Sequence, residues 1–216
     1  MGDRFRADYP ADLKRNLQIN SIFLKWHYIY MGTDKNLIKI ILLLKEYLDT
    51  KKEIFMCFCD YGVQLEGWFK GELLFFFNNL KNSRELNDFD REVKSPVLNN
   101  KIDFKLEFQI ENRNEIVWLE LKHWLIGYQK GTKYIAQTYF VDPTSVGIKP
   151  DIEKLRIISS DNKYMLVTMT ANPGRNDWYN GVQKFNDKFA NLKIESLTNP
   201  EDFNKSYFLG LLKVLS

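Results

Sequence analysis

Two carboxylates and a lysine in the middle of the chain have the residue types and spacing of a site for metal-assisted chemistry. Glu120 and Lys122 lie two residues apart in a strand-like segment, so their side chains leave the strand on the same face. Asp103 begins an earlier segment in which apolar and polar residues alternate. Carboxylate oxygens are ligands that Mg²⁺ prefers, and an ammonium group stabilises charge on a phosphate. The three residues therefore predict a possible magnesium site.

The pairing of the two strands decides whether these side chains meet. Residues 111–114 have the length of a common hairpin loop. Such a loop places Asp103 opposite Lys122 and Lys105 opposite Glu120. Asp103 and Glu120 are then diagonal neighbours, roughly 7–8 Å apart at the backbone, which lets both side chains reach one ion. The strict alternation in both strands disfavours a slip of one residue.

A simpler interpretation is an exposed ion pair across the two strands. Asp103 and Lys122 at opposite positions would contribute at most about 1 kcal/mol to stability. The Glu-x-Lys spacing is also weak by itself, because residues 92–94 repeat it. Only the copy at 120–122 follows a strand that carries an aspartate through a hairpin, and both interpretations stay open on the residues alone.

The segments around these strands predict a mixed α/β (α+β) chain. Apolar periodicity predicts helices over 34–48, 64–80, about 150–158 and 176–191. Alternating or short apolar runs predict strands over 89–97, 102–110, 115–122, 164–170, 194–197 and 208–215. The aromatic run over 22–30 fits either a helix or a strand.

The helix over 64–80 carries two further candidate carboxylates. Glu72 lies on the apolar stripe of this helix, and Glu66 lies about 240° away around the axis, at about 100° per residue. The two carboxylates are therefore not expected to share one site. The stripe position favours Glu72 as the contributing residue, with Glu66 as the alternative.

The combination of Asp103, residues 120–122 and a preceding helix with glutamates resembles the PD-(D/E)xK nuclease superfamily. The resemblance covers residues 64–170 in the order helix, three strands, helix, strand, and Ile102 stands where many members have proline. It implies a restriction-endonuclease-like core with a mixed central sheet flanked by helices. Residues 1–63 would form an N-terminal helical and aromatic extension, and residues 171–216 a C-terminal α/β extension packed on the core.

The resemblance also implies a reaction, the Mg²⁺-dependent hydrolysis of DNA phosphodiester bonds. Asp103 and Glu120 would hold the metal, for which Mn²⁺ would substitute, and Lys122 would orient water and stabilise charge on the phosphate. Glu72 would complete the metal shell, or Glu66 would support the site. A homodimeric type II restriction endonuclease is the expectation. The alternatives are a repair or recombination nuclease, a non-catalytic DNA-binding or assembly module of the same fold, and a protein-binding surface over 22–48.

Composition limits the partners. The chain has 216 residues, with 31 Lys and Arg against 28 Asp and Glu, so the net charge of +3 predicts only a local DNA-binding patch. Aromatic and basic residues between strand and helix segments suggest its members, which are His123, Lys130, Lys133 and Arg175.

Hydropathy and cysteine usage predict the compartment. No apolar stretch approaches the roughly 20 residues of a membrane span, so no membrane association is expected. Cys57 and Cys59 are the two cysteines, and we expect both to be buried, reduced thiols of a cytoplasmic protein.

Overall fold

A mixed six-stranded sheet flanked by helices forms the fold, which confirms the predicted mixed α/β class. The computed structural model describes residues 33–63, 65–95, 100–110, 113–126, 139–142, 147–171, 177–198 and 207–216. Its helices are α1 (Thr33–Asp49), α2 (Lys52–Tyr61), α3 (Glu66–Asn82), α4 (Lys149–Arg156) and α5 (Asp177–Lys188). Its strands are β1 (Asp88–Lys94), β2 (Lys101–Ile110), β3 (Arg113–Ile126), β4 (Lys163–Ala171), β5 (Ile194–Ser196) and β6 (Tyr207–Lys213).

The strand order is β1-β2-β3-β4-β6-β5, and it places the candidate site strands β2 and β3 beside each other. The β3–β4 pair is parallel and the other neighbouring pairs are antiparallel. A parallel pair needs a crossover connection, and α4 lies within the connection from β3 to β4. The C-terminal strand β6 pairs with β4, so it belongs to the same sheet.

Helices α1, α2 and α3 cover one face of the sheet. The predicted apolar periodicity of α1 is confirmed, since Leu37, Ile41, Leu44 and Leu48 are fully buried. The apolar residues of α3 are buried in the same cluster, together with Phe104, Leu106 and Phe108 of β2. The helices are stabilised here because apolar side chains that recur at helical spacing are buried against the apolar face of the sheet.

Helices α4 and α5 lie in a second core cluster. Ile152 of α4 and Trp178 of α5 are buried there with Met165 and Val167 of β4. The indole nitrogen of Trp178 donates a hydrogen bond to Ser196 Oγ at 3.0 Å. Because β4 contributes to both clusters, the sheet is covered on both faces.

Gly181 of α5 marks a close approach within this second cluster. A Cβ at position 181 would lie 2.2 Å from Cδ2 of Phe140, whose ring is fully buried and packs edge-on against Trp178. We expect Gly181→Ala to lower the free energy of unfolding by about 1–3 kcal/mol through overpacking. Gly71→Ala in α3 is the matched control, because nothing lies within 4 Å of its Cβ position. Urea denaturation of both variants tests this, and equal stability would contradict it.

The pairing of β2 with β3 differs from the predicted register by two residues. Strand β2 continues to Ile110 and β3 begins at Arg113, and these two residues pair with each other. The predicted four-residue loop is therefore wrong, because polar residues assigned to the loop extend the ladder. A shift of two preserves the face of every side chain. Its consequence is that Asp103 lies level with Glu120 instead of opposite Lys122.

The two cysteines lie on helix α2, and only one of them is buried. Cys59 is buried and Cys57 is exposed, and neither of these two described residues forms a disulfide. Residues two apart on a helix point about 200° away from each other, at about 100° per residue. The expectation that both thiols are buried is therefore wrong for Cys57.

Within the described ranges, no helix has both the length and the apolar character that crossing a membrane requires.

Candidate active site

The candidate site lies where β2 and β3 stop pairing. The last backbone pair of their ladder is Phe104 with Leu119. Beyond this pair, two side-chain carboxylates accept hydrogen bonds from the backbone of the opposite strand. The backbone N–H of Leu121 donates to Oδ2 of Asp103 at 3.0 Å. The backbone N–H of Asp103 donates to Oε2 of Glu120 at 3.2 Å. The two carboxylates are thus fixed beside each other by the backbone of the opposite strand.

Strand β2 changes its orientation at the same residue. The β1–β2 register pairs Arg91 with Phe104 and Val93 with Ile102, and Glu92 between them has a left-handed φ of 48°. Ile102 packs in the second core cluster, whereas Phe104 packs in the first. The predicted alternation therefore breaks at Asp103, since the residues on either side of it pack in different core clusters.

Helix α3 contributes a lysine to Asp103. The ammonium of Lys70 lies 2.8 Å from Oδ1 of Asp103 and 3.1 Å from Oε1 of Glu66. Glu66 and Lys70 are four residues apart, a spacing that places both on one side of the helix. The structure therefore connects Glu66, the alternative helical candidate, to Asp103 through Lys70.

Helix α4 contributes a second lysine, which contacts Glu120. Lys154 donates to Oε1 of Glu120 in a short hydrogen bond and to the carbonyl oxygen of Lys101 at 3.1 Å. Glu120 is only 4% exposed, so this ion pair compensates a carboxylate that is almost entirely shielded from water.

Lys122 is held by the first turn of α4. Its ammonium lies 3.1 Å from Oδ2 of Asp151, and the ammonium of Lys154 lies 3.6 Å from Oδ1 of the same carboxylate. The backbone carbonyl of Lys122 accepts a hydrogen bond from the Tyr139 hydroxyl at 2.9 Å. The simple ion pair between Asp103 and Lys122 is therefore not formed, because each residue has a different partner.

Burial and charge shift two pKa values in this cluster. Burial, and then the negative charge of Asp103, raise the pKa of Glu120 from 4.5 to about 7, although Lys154 acts in the opposite direction. For Lys70, partial burial disfavours the ammonium, but the bonds to Asp103 and Glu66 outweigh it and raise the pKa above its ordinary value. Glu120 thus exchanges its proton near neutral pH, while Lys70 stays charged.

The shifted pKa of Glu120 predicts a pH dependence of stability. The folded chain binds this proton more tightly than the unfolded chain, so the stabilisation is present below about pH 4.5 and is lost as the pH rises through about 7. Between pH 5 and pH 8 we expect a loss on the order of 2 kcal/mol. Urea denaturation at both pH values would show a smaller loss for Glu120→Gln, and equal losses would contradict the assignment.

Glu72, the favoured helical candidate, is not brought to this cluster. Its carboxylate accepts a short hydrogen bond from the Tyr47 hydroxyl and lies 3.5 Å from the ammonium of Lys51. Glu72 thus joins α3 to α1 and to the start of α2. Its position on the apolar stripe is explained by this contact between helices, and Glu66 is the glutamate of α3 that approaches Asp103.

His123 is buried and points away from Glu120 and Lys122. Its ring stacks on Phe69 of α3 at 5.8 Å between centroids, and Nδ1 and Nε2 lie 2.7 Å and 3.2 Å from the hydroxyl oxygens of Thr168 and Thr170. Burial lowers its pKa to about 3, so the ring is neutral at physiological pH. The structure therefore places His123 in the core and not beside Lys122, and its contact with DNA stays a prediction. Alternate residues of a strand face the same side, so His123 points toward the first core cluster together with Leu119 and Leu121.

The other predicted DNA contacts, Lys130, Lys133 and Arg175, lie outside the described residues, as does the aromatic run over 22–30. Sequence reasoning missed three members of the cluster, which are Lys70, Asp151 and Lys154. The i,i+4 spacing of Glu66 and Lys70 was one available signal. Asp151 and Lys154, three residues apart on α4, were another.

Comparison of the chain with protein-family models, curated proteins and solved structures finds no match. None of these comparisons identifies a PD-(D/E)xK nuclease, and that resemblance stays an expectation from the residues of the sequence. Among the described residues, no group of three or more His, Cys, Asp or Glu side chains is arranged to hold a metal ion.

Proposed function

We propose that the chain is a Mg²⁺-dependent deoxyribonuclease that uses Asp103, Glu120 and Lys122. One observation carries the proposal. At the end of the β2–β3 ladder, two carboxylates are fixed beside each other by backbone N–H groups, with a lysine two residues further along the same strand. Sequence order and strand positions of these three residues agree with those of the nuclease superfamily that the sequence resembles.

The donor set fits Mg²⁺. Asp103 and Glu120 supply carboxylate oxygens, and Mg²⁺ sites at phosphates use one or two protein carboxylates, with waters and phosphate oxygens completing the shell. Bound Mg²⁺ would supply Lewis acidity toward a phosphate oxygen and an attacking water. The backbone N–H groups that hold Asp103 and Glu120 limit their reorganisation when a ligand binds.

Lys122 is proposed to stabilise the negative charge that develops on the phosphate. Its side chain is 17% exposed and its ammonium is held by Asp151, so the position of the ammonium is restricted while the side chain remains partly accessible. A fixed cation beside a partly desolvated phosphate stabilises the transition state more than the ground state, because charge builds up there during the reaction.

The finer proposal is a type II restriction endonuclease that acts as a homodimer on DNA. A compact chain that cuts both strands of a palindromic site uses two copies related by a two-fold axis. Light scattering of the purified chain with and without duplex DNA tests this assembly. A strictly monomeric protein in both conditions would contradict the dimer but would leave the metal-dependent reaction standing.

Incubation of supercoiled plasmid with the purified chain tests the reaction. We expect nicked and linear products with Mg²⁺ or Mn²⁺, and no products with EDTA or with Asp103→Asn. Absence of cleavage with both metals across a range of salt concentrations would contradict the proposal. DNA binding without cleavage would favour a non-catalytic module, in which Lys70 and Lys154 permanently compensate Asp103 and Glu120.

A further inference from the structure

The ammonium of Lys154 lies in a pocket of oxygen atoms at the candidate site. It contacts Oε1 of Glu120, the carbonyl oxygen of Lys101 at 3.1 Å and Oδ1 of Asp151 at 3.6 Å. Two carboxylates and a carbonyl are also the donor types that bind hard divalent cations. The surroundings that hold the ammonium of Lys154 would therefore attract a divalent cation for the same electrostatic reason.

Both oxygens of Glu120 are already engaged. Oε2 accepts the backbone N–H of Asp103, and Oε1 accepts Lys154. A divalent cation on Oε1 and the ammonium in its present place would repel each other strongly, because the Glu120 and Lys154 side chains are only 6% and 16% exposed. Coordination of a metal by Glu120 therefore requires Lys154 to leave this oxygen.

The ion pair between Lys70 and Asp103 is less shielded from water than the pair between Lys154 and Glu120. Lys70 is 33% exposed and shares its ammonium between Asp103 and Glu66. An exposed, shared lysine is released at lower cost than a shielded one, since water replaces the lost contacts. Of the two lysines bonded to the proposed metal ligands, Lys154 is the stronger obstacle to metal binding.

We propose that Lys154 is an internal cation that competes with the metal for Glu120 and thereby sets the metal affinity of the site. The inference rests on the proposed function, because it takes Asp103 and Glu120 as metal ligands. In the metal-free chain Lys154 compensates the charge of a shielded carboxylate whose other contact is the backbone N–H of Asp103. The same contact raises the metal concentration that the site requires.

Isothermal titration of the full chain with Mn²⁺ tests the competition directly. Lys154→Gln removes the competing charge, and we expect its dissociation constant for Mn²⁺ to fall about tenfold relative to the parent. Lys149→Gln is the matched control. It removes the same charge from the same helix, but its ammonium lies over the Phe189 ring at 5.5 Å instead of on a carboxylate, so we expect a change below about twofold.

Lys154→Arg keeps a cation against Glu120 and provides a second arm if the Lys154→Gln chain does not fold. A guanidinium binds carboxylates through two parallel bonds, so Lys154→Arg is expected to bind Mn²⁺ no more tightly than the parent. Tighter binding by Lys154→Arg, or equal or weaker binding by Lys154→Gln, would overturn the competition. Mn²⁺ binding that Glu120→Gln abolishes would still support the proposed metal site, whereas no Mn²⁺ binding to either the parent chain or Lys154→Gln would overturn the proposed function itself.

Discussion

Replacing Lys122 with alanine is expected to reduce the rate of Mg²⁺-dependent plasmid cleavage by about 10²–10³-fold. The substitution removes the ammonium proposed to act on the phosphate, while Asp103 and Glu120 keep their backbone hydrogen bonds. Asp151 retains Lys154 as a cationic neighbour at 3.6 Å, so the fold should persist. Initial rates of plasmid nicking, measured at saturating Mg²⁺ for parent and variant, give the comparison.

Lys105→Ala is the matched control for this experiment. Lys105 lies on the adjacent strand β2, and its ammonium pairs with Glu107 at 2.6 Å, outside the candidate cluster. We expect this variant to cleave DNA at a rate close to that of the parent. A Lys122→Ala chain that cleaves as fast as Lys105→Ala would show that Lys122 takes no part in the reaction.

Replacing Phe77 with alanine is expected to lower the free energy of unfolding by about 3–5 kcal/mol. Phe77 of α3 is fully buried, and its ring packs against Phe89 and Phe104 with centroids 5.8 Å and 5.3 Å away. Truncation removes these contacts and leaves a cavity between α3 and the sheet. Because α3 also carries Lys70, weaker packing of this helix also weakens the ion pair between Lys70 and Asp103.

Phe75→Ala in the same helix is the control for lost aromatic surface. Phe75 is 50% exposed, so its truncation creates no closed cavity, and we expect a loss below about 1 kcal/mol. Urea denaturation followed by circular dichroism measures both variants. Similar losses for Phe75→Ala and Phe77→Ala would contradict the packing of α3 on the sheet.

The local pattern of apolar and polar residues is sufficient to predict most of the helices and strands. The predicted helices over 34–48 and 64–80 correspond to α1 and α3, because each has an apolar stripe that the core buries. The predicted strand over 208–215 corresponds to β6. Helix α2 was not predicted, since its short apolar segment fits either kind of element.

The candidate site was less predictable because it depends on contacts between distant segments. The same-face arrangement of Glu120 and Lys122 follows from strand geometry alone. The i,i+3 spacing of Asp151 and Lys154 places both on one side of α4, but their approach to Glu120 and Lys122 follows from the crossover that returns α4 to the sheet. The sequence favours Glu72 over Glu66 because a position on the apolar stripe is the same for a residue that joins two helices and for one that lines a site.

A nuclease of the proposed kind must bind a divalent cation at Asp103 and Glu120. An anomalous difference map from crystals grown with Mn²⁺ would locate such an ion. We predict a peak bonded to carboxylate oxygens of both residues, with the ammonium of Lys154 displaced from Oε1 of Glu120. Crystals saturated with Mn²⁺ that show no peak there, and in which Lys70 and Lys154 still pair with the two carboxylates, would contradict the account.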